Sequence, residues 1–166
     1  EKENWQHCFT VPRKITLKQT EDGMKRVYQE PIEEIKKLRT GVGYKMEKEY
    51  AAFKEEYLDI EIKRLPRVFE ITIADGVTFS YNGEWAALSL TEDTGLGRKI
   101  RRARIFSINS IRILVDSSIL EYYINDGEIV FTTRYYKKEK GTVIQTDVSG
   151  ADITVYPMER IIVKGD

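Results

Sequence analysis

The chain has 166 residues, 41% hydrophobic and 33% charged, with Lys+Arg and Asp+Glu balanced at 27 each. That length fits one domain with room for a short appendage, and the composition is ordinary for a soluble globular protein. Zero net charge gives no electrostatic footprint for nucleic acid or an anionic membrane, and no apolar run approaches the roughly 18 residues that cross a bilayer.

One cysteine, Cys8, excludes an internal disulfide and suits a reducing, cytoplasmic setting. A first residue of Glu1 rather than methionine is expected of a fragment or a processed chain. Within residues 31–39 (PIEEIKKLR), Ile32, Ile35 and Leu38 recur every three positions. Pro31 stands where a first helical turn tolerates proline, so a short helix or helical turn is predicted. Gly41 and Gly43 interrupt it, which puts a linker or domain boundary near residues 40–44. Residues 45–56 are rich in Glu, Lys and Ala, and their propensity predicts helix.

From residue 57 onward the pattern changes to short strands. Residues 57–63 (YLDIEIK) alternate apolar and polar side chains, the period of a half-buried strand. Further strands are predicted at 68–73, 77–81, 85–90, 100–106, 111–116, 118–124, 129–136, 143–147 and 153–156. Asp75-Gly76 and Asn82-Gly83 supply the positive φ angles that tight hairpins demand. Strands at this spacing predict an all-β fold, a two-sheet antiparallel β-sandwich.

Residues 111–136 hold three of these strands. In the middle one, Leu120, Tyr122 and Ile124 share one face and Ile119, Glu121 and Tyr123 share the other. Both faces are largely apolar, whereas a strand covered on one side usually shows a cleaner polar face. Either the outer face is simply aromatic-rich, or Ile119, Glu121 and Tyr123 dock against another domain.

Residues 115–134 (VDSSILEYYINDGEIVFTTR), with their Asp-x-Ser-x-x-Glu and Asn-Asp-Gly-Glu elements, resemble the signature of the C-terminal domain of glycoside hydrolase family 32. That family holds the invertases, sucrose-6-phosphate hydrolases, levanases and inulinases. Residues 5–13 (WQHCFTVPR) resemble the closing strand of its catalytic propeller, and residues 28–39 (YQEPIEEIKKLR) the segment leading into its sandwich. The resemblance implies a concanavalin-like jelly-roll sandwich over 41–166, preceded by the end of the propeller and a linker over 1–40. It implies a five-bladed catalytic propeller in the same parent protein as partner, an architectural task, and a contribution to oligomerisation. It also implies retaining hydrolysis by two carboxylates roughly 5 Å apart in the parent. The family keeps these in Asn-Asp-Pro-Asn and Glu-Cys motifs, with a stabiliser in Arg-Asp-Pro. Here Pro12, Pro31, Pro66 and Pro157 follow Val, Glu, Leu and Tyr, and Cys8 follows His7. All three motifs are absent, so no catalytic residue transfers, and neither cofactor nor metal is expected.

Other chemistry-bearing residues read as structural. Asp116 and Glu121 are a tempting acid/base pair, but Asp116 beside Ser117 and Ser118 suits a turn cap better. His7 and Cys8 lack further ligands for a metal site. Residues 98–104 (RKIRRAR) put five cations in seven positions; they would meet a phosphate or, more ordinarily, protect an edge strand. Trp85, Tyr81 and Tyr122 are candidates for an aromatic platform stacking on sugar rings; the alternative is core packing.

Overall fold

The computed structural model describes residues 8–19, 23–74, 76–136, 140–148 and 150–160. Strands β1 (Arg13–Gln19) and β2 (Lys25–Pro31) form a two-stranded ribbon, followed by a 3-10 helix (Glu33–Leu38). Then come β3 (Tyr44–Lys45), β4 (Tyr50–Phe53), β5 (Leu58–Lys63), β6 (Phe69–Ile73), β7 (Val77–Tyr81) and β8 (Trp85–Leu90). A single helical turn, α1 (Glu92–Gly95), precedes β9 (Ile100–Arg104), β10 (Ser110–Val115), β11 (Ile119–Ile124) and β12 (Ile129–Arg134). Strands β13 (Thr142–Thr146) and β14 (Asp152–Pro157) complete the series.

Two six-stranded sheets result, in the orders β12-β11-β10-β5-β14-β3 and β4-β13-β6-β7-β8-β9, with antiparallel pairing throughout. This is the predicted all-β, two-sheet sandwich. Its ten predicted strands appear as β5 to β14, with ends shifted by at most two residues. Within residues 31–39 the predicted helical turn forms over Glu33–Leu38, in 3-10 geometry with Ile35 buried, whereas Pro31 ends β2 instead of opening the helix.

The helix predicted over 45–56 is absent. Those residues supply β3 and β4, and β4 pairs with β13 through Phe53↔Thr142 and Ala51↔Ile144. Sheet pairing and the packing of Phe53 edge-on against Tyr44, 5.7 Å between ring centres, override the intrinsic preference of Glu, Lys and Ala. The ribbon had no predicted counterpart beyond the stretch ending at Arg13, and residues 5–7 of that stretch, His7 among them, lie outside the described residues. Asp75 does too; among the described residues of that turn the positive φ falls on Ala74 and not on Gly76.

The core fills the space between the sheets. Leu58, Ile60 and Ile62 of β5, Ile111 and Ile113 of β10, and Leu120, Tyr122 and Ile124 of β11 face Ile71, Ile73, Phe79 and Leu88 of the opposite sheet. Phe79 stacks on Tyr122 with centres 5.4 Å apart and meets Phe131 edge-on at 5.7 Å. Each such buried side chain stabilises the fold by about 1.5–3 kcal/mol.

Candidate functional site

The outer face of β11 is covered by the chain's own N-terminal segment. All six β11 residues are buried, and a second small hydrophobic cluster takes in the outward Tyr123. Tyr123, Leu114 and Ile35 are its buried members, with Val11, Ile32, Leu38, Val130 and Met158 packed around them.

Polar contacts within this cover are directional. Glu121, only 3% exposed, accepts hydrogen bonds from the Val11 backbone N–H (2.8 Å), from Arg13 Nη2 (2.6 Å) and from the Tyr123 hydroxyl (2.8 Å). The same Arg13 nitrogen donates to Thr132 Oγ1 on β12 at 2.8 Å, and Nη1 donates to Gln29 Oε1 at 3.0 Å. Burial alone lowers the Arg13 pKa, but the hydrogen bond to Glu121 and nearby negative charge hold it above the ordinary guanidinium value. Burial, reinforced by the Glu121 charge, pushes the Tyr123 phenol strongly upward. The group is a charge-assisted clasp between β1, β11 and β12.

A second clasp spans the neighbouring strands β10 and β5. Asp59, fully buried on β5, takes a forked pair of bonds from Arg112 Nε (2.9 Å) and Nη2 (2.8 Å) and a further one from Arg39 Nε (2.8 Å). Arg39 also donates to Glu61 and lies 3.8 Å above the Tyr156 ring centre. Backbone bonds finish the seam: Thr40 N–H to Pro157 O at 2.8 Å and Glu159 N–H to Leu38 O at 2.8 Å. A buried carboxylate shared by two guanidiniums has its lone pairs filled, which is what makes its burial tolerable.

The turn between β11 and β12 makes a third attachment. Asn125, Asp126 and Gly127 all have positive φ. The Gln29 N–H donates to Gly127 O at 3.0 Å, and a Cβ on Gly127 would stand 2.1 Å from Gln29 O, so only glycine lets β2 approach. Arg26 pairs with Glu128 at 2.7 Å beside it.

The predicted residues are distributed accordingly. Ile119, Glu121 and Tyr123 are buried, with Glu121 and Tyr123 under residues 11–38. The sugar platform does not assemble: Tyr122 is fully buried between the sheets, and Tyr81 is 3% exposed with its hydroxyl donating to Phe106 O at 2.8 Å. Only Trp85, 42% exposed, reaches solvent. Tyr81 continues the inward face of Val77 and Phe79, whereas Trp85 stands on the outward face of β8, so the strand alternation separates them. Asp116 accepts from Ser117 N–H at 2.6 Å, the turn-capping role. Residues 100–104 form β9 at the edge of the second sheet, with Arg104 paired to Glu84 at 2.8 Å, which suits edge protection. Among the described residues no group of three metal-ligating side chains gathers. Arg13, Arg39, Asp59 and Arg112 carry no motif of their own in the sequence; for Arg112 the available signal is a single charge among the apolar residues 111–115.

Comparison with known proteins places this architecture. The family described as glycosyl hydrolases family 32 C terminal matches residues 33–157. A sucrose-6-phosphate hydrolase of Bacillus subtilis is 29% identical over 143 residues, which cover 80% of this chain and 29% of that protein. One from Staphylococcus xylosus is 26% identical, covering 99% of this chain and 36% of that protein. A levanase of a Bacillus species is 28% identical, covering 77% and 17%. The chain therefore spans about a third or less of these relatives. Among solved structures, a sucrose-6-phosphate hydrolase from Lactobacillus gasseri superposes with TM-score 0.79 at 18% identity, over 94% of this chain and 35% of that one. A Bombyx mori family 32 β-fructofuranosidase superposes at 0.71 and 21% identity, over 91% and 33%; both likenesses concern the fold.

Proposed function

The chain belongs to the C-terminal family of glycosyl hydrolases family 32, and on that premise we propose that it is the accessory sandwich of a larger fructoside-splitting hydrolase, gripping a catalytic domain that precedes it. The parent splits sucrose, sucrose 6-phosphate or a fructan, works in the cytoplasm, and carries its catalytic carboxylates outside this chain. Residues 1–40 belong to the catalytic side and 41–166 to the sandwich. The single observation that carries this reading is the clasp of Val11 and Arg13 on Glu121.

The ribbon supports it further. A two-stranded ribbon is marginal in water by itself, and β1–β2 keeps Ile15, Leu17 and Val27 more than half exposed. Leu17 and Val27 are cross-strand partners, and Ile15 shares their face. An apolar face of this kind fits a sheet completed by residues that lie before it in the parent. The absence of the Asp-Pro and Glu-Cys motifs supports a non-catalytic role for the chain itself.

The test is Glu121→Ala in the full chain, read by amide hydrogen exchange. Exchange should accelerate at least tenfold (about 1.4 kcal/mol) across residues 11–19 and 25–40, while β6, β7 and β8 keep their protection. A clean preparation should release no fructose from sucrose or sucrose 6-phosphate. Unchanged protection at 11–40, or measurable hydrolysis, overturns the reading.

A further inference from the structure

Strand β9 ends the second sheet, and among the described residues its one strand partner is β8. Two bonds fix the alternation along this pair, Ile105 N–H to Glu84 O (3.0 Å) and Leu90 N–H to Lys99 O (2.8 Å). In an antiparallel ladder, residues that exchange such bonds alternate with residues that do not. Arg101 and Ala103 therefore turn their N–H and C=O groups toward β8, whereas Ile100, Arg102 and Arg104 turn theirs away from the sheet. Among the described residues those outward groups meet no hydrogen-bond partner.

The other sheet edges differ. β3 is two residues long, β4 has no charged side chain, and the turn leading into β12 is met by Gln29 of the ribbon. β9 instead has cations on both of its faces. Arg102 and Arg104 stand on the outward face with Ile100, and Arg101 on the other with Ala103, which packs against the core. Lys99, Arg101 and Arg102 are exposed, and among the described residues none of them forms an ion pair. Arg104 is the exception, paired with Glu84. Such a strand selects by sign. Two β9 strands paired antiparallel about Arg102 would set arginine against arginine, and like charges directly opposite destabilise a ladder. The cations that protect the edge from its own kind favour an extended segment with carboxylates at alternate positions. Its backbone would complete the outward groups of Ile100, Arg102 and Arg104, and its carboxylates would lie beside the two arginines.

We propose that β9 is a docking edge for an acidic partner chain, which adds an extended strand to the second sheet. Backbone bonds supply the pairing, and Arg102 and Arg104 select the partner's charge. This role goes beyond the accessory-module reading and does not depend on it, because β9 lies on the sheet that the N-terminal segment leaves uncovered.

The isotopically labelled full chain is titrated with a synthetic peptide alternating Glu and Val, with a Lys–Val peptide of equal length as control. The acidic peptide should slow amide exchange at Ile100, Arg102 and Arg104 about tenfold, and leave Arg101 and Ala103, already bonded to β8, unchanged. Ile100→Pro keeps every cation and removes one outward N–H at the first residue of an edge strand, where proline is tolerated; it should weaken binding about tenfold relative to Ile100→Ala. Arg102→Glu, at an exposed side chain, should abolish the preference for the acidic peptide. Overturning results are the absence of saturable binding, equal binding of the two peptides, or equal affinity of Ile100→Pro and Ile100→Ala, which would make β9 a mere charged patch open to any polyanion. Slowed exchange at the same three amides on raising the protein concentration without peptide would also overturn it, by making a second copy the occupant. Failure here leaves the accessory-module reading intact, because that reading is judged by exchange at residues 11–40 without peptide.

Discussion

Tyr122 and Tyr123 are neighbours on β11 and end in opposite surroundings. Tyr122 points between the sheets, stacked on Phe79, and among the described residues its hydroxyl has no hydrogen-bond partner. Tyr123 points the other way, into the cover formed by the N-terminal segment, and donates to Glu121. One face is held by apolar area, which does not depend on direction. The other is held by charge-assisted hydrogen bonds, which do. The core face thus supplies most of the stability. The clasp face fixes how the first forty residues sit on the sandwich, and with them whatever they continue into.

The largest effect expected from this division is on the core side. Phe79→Ala removes a ring that touches both Tyr122 and Phe131 and should destabilise the chain by roughly 3–5 kcal/mol in chemical denaturation. A loss below about 1 kcal/mol would mean that the two sheets are not locked by this cluster.

On the clasp side, Asp59→Ala leaves the Arg39 and Arg112 guanidiniums, each 15% exposed, without their shared carboxylate. Removing one partner of a buried ion pair costs about 3 kcal/mol. The loss should be accompanied by faster exchange at residues 33–40, which Phe79→Ala should not produce before global unfolding. Equal exchange behaviour in the two variants would erase the distinction between the faces.

How much of this was readable depends on the reach of each interaction. The hairpin from β11 to β12 is local: the apolar run 119–124 and the Asn125-Asp126-Gly127 turn announce it within a dozen positions. The inward placement of Tyr81 was equally available, since it alternates with Val77 and Phe79, but joining it to Trp85 as a platform crossed from one face of the sheet to the other. The clasps are a different case. Arg13 and Glu121 stand 108 positions apart, and Arg112 and Asp59 stand 53 apart. Nothing in the run of residues couples them until β10 lies beside β5 and β11 beside β12. The strand β4 failed for the same reason: its partner β13 comes some ninety residues later, and a window rich in Glu, Lys and Ala favours helix when read alone.

Alkali should act on both faces together. Burial pushes the phenols of Tyr81, Tyr122, Tyr123 and Tyr135 above the ordinary tyrosine value, with neighbouring negative charge adding to it at Tyr123 and Tyr135. Below pH of about 10 folded and unfolded chains hold these protons alike, and the full stability is present. Above it the unfolded chain releases protons that the folded chain retains. Stability therefore falls as pH rises, by about 1.4 kcal/mol per pH unit for each of Tyr122, Tyr123 and Tyr135. Phenolate absorbance checks this: of the ten tyrosines, Tyr122, Tyr123 and Tyr135 should ionise only with unfolding. A smooth titration of all ten ahead of the unfolding transition would contradict their burial.

The smallest effect is the most discriminating. Tyr122→Phe deletes a hydroxyl that is desolvated without compensation, so stability should stay level or rise by about 1 kcal/mol. Tyr123→Phe deletes a hydroxyl that donates to a buried carboxylate, and should cost about 1.5–3 kcal/mol. The two substitutions remove the same atom from adjacent residues, so secondary-structure propensity and lost volume cancel in the comparison. What remains is the difference between a face that needs only to be filled and a face whose donors and acceptors must match. If Tyr122→Phe proved as costly as Tyr123→Phe, the core face would carry a directional contact of its own, and orientation could no longer be assigned to the clasp alone.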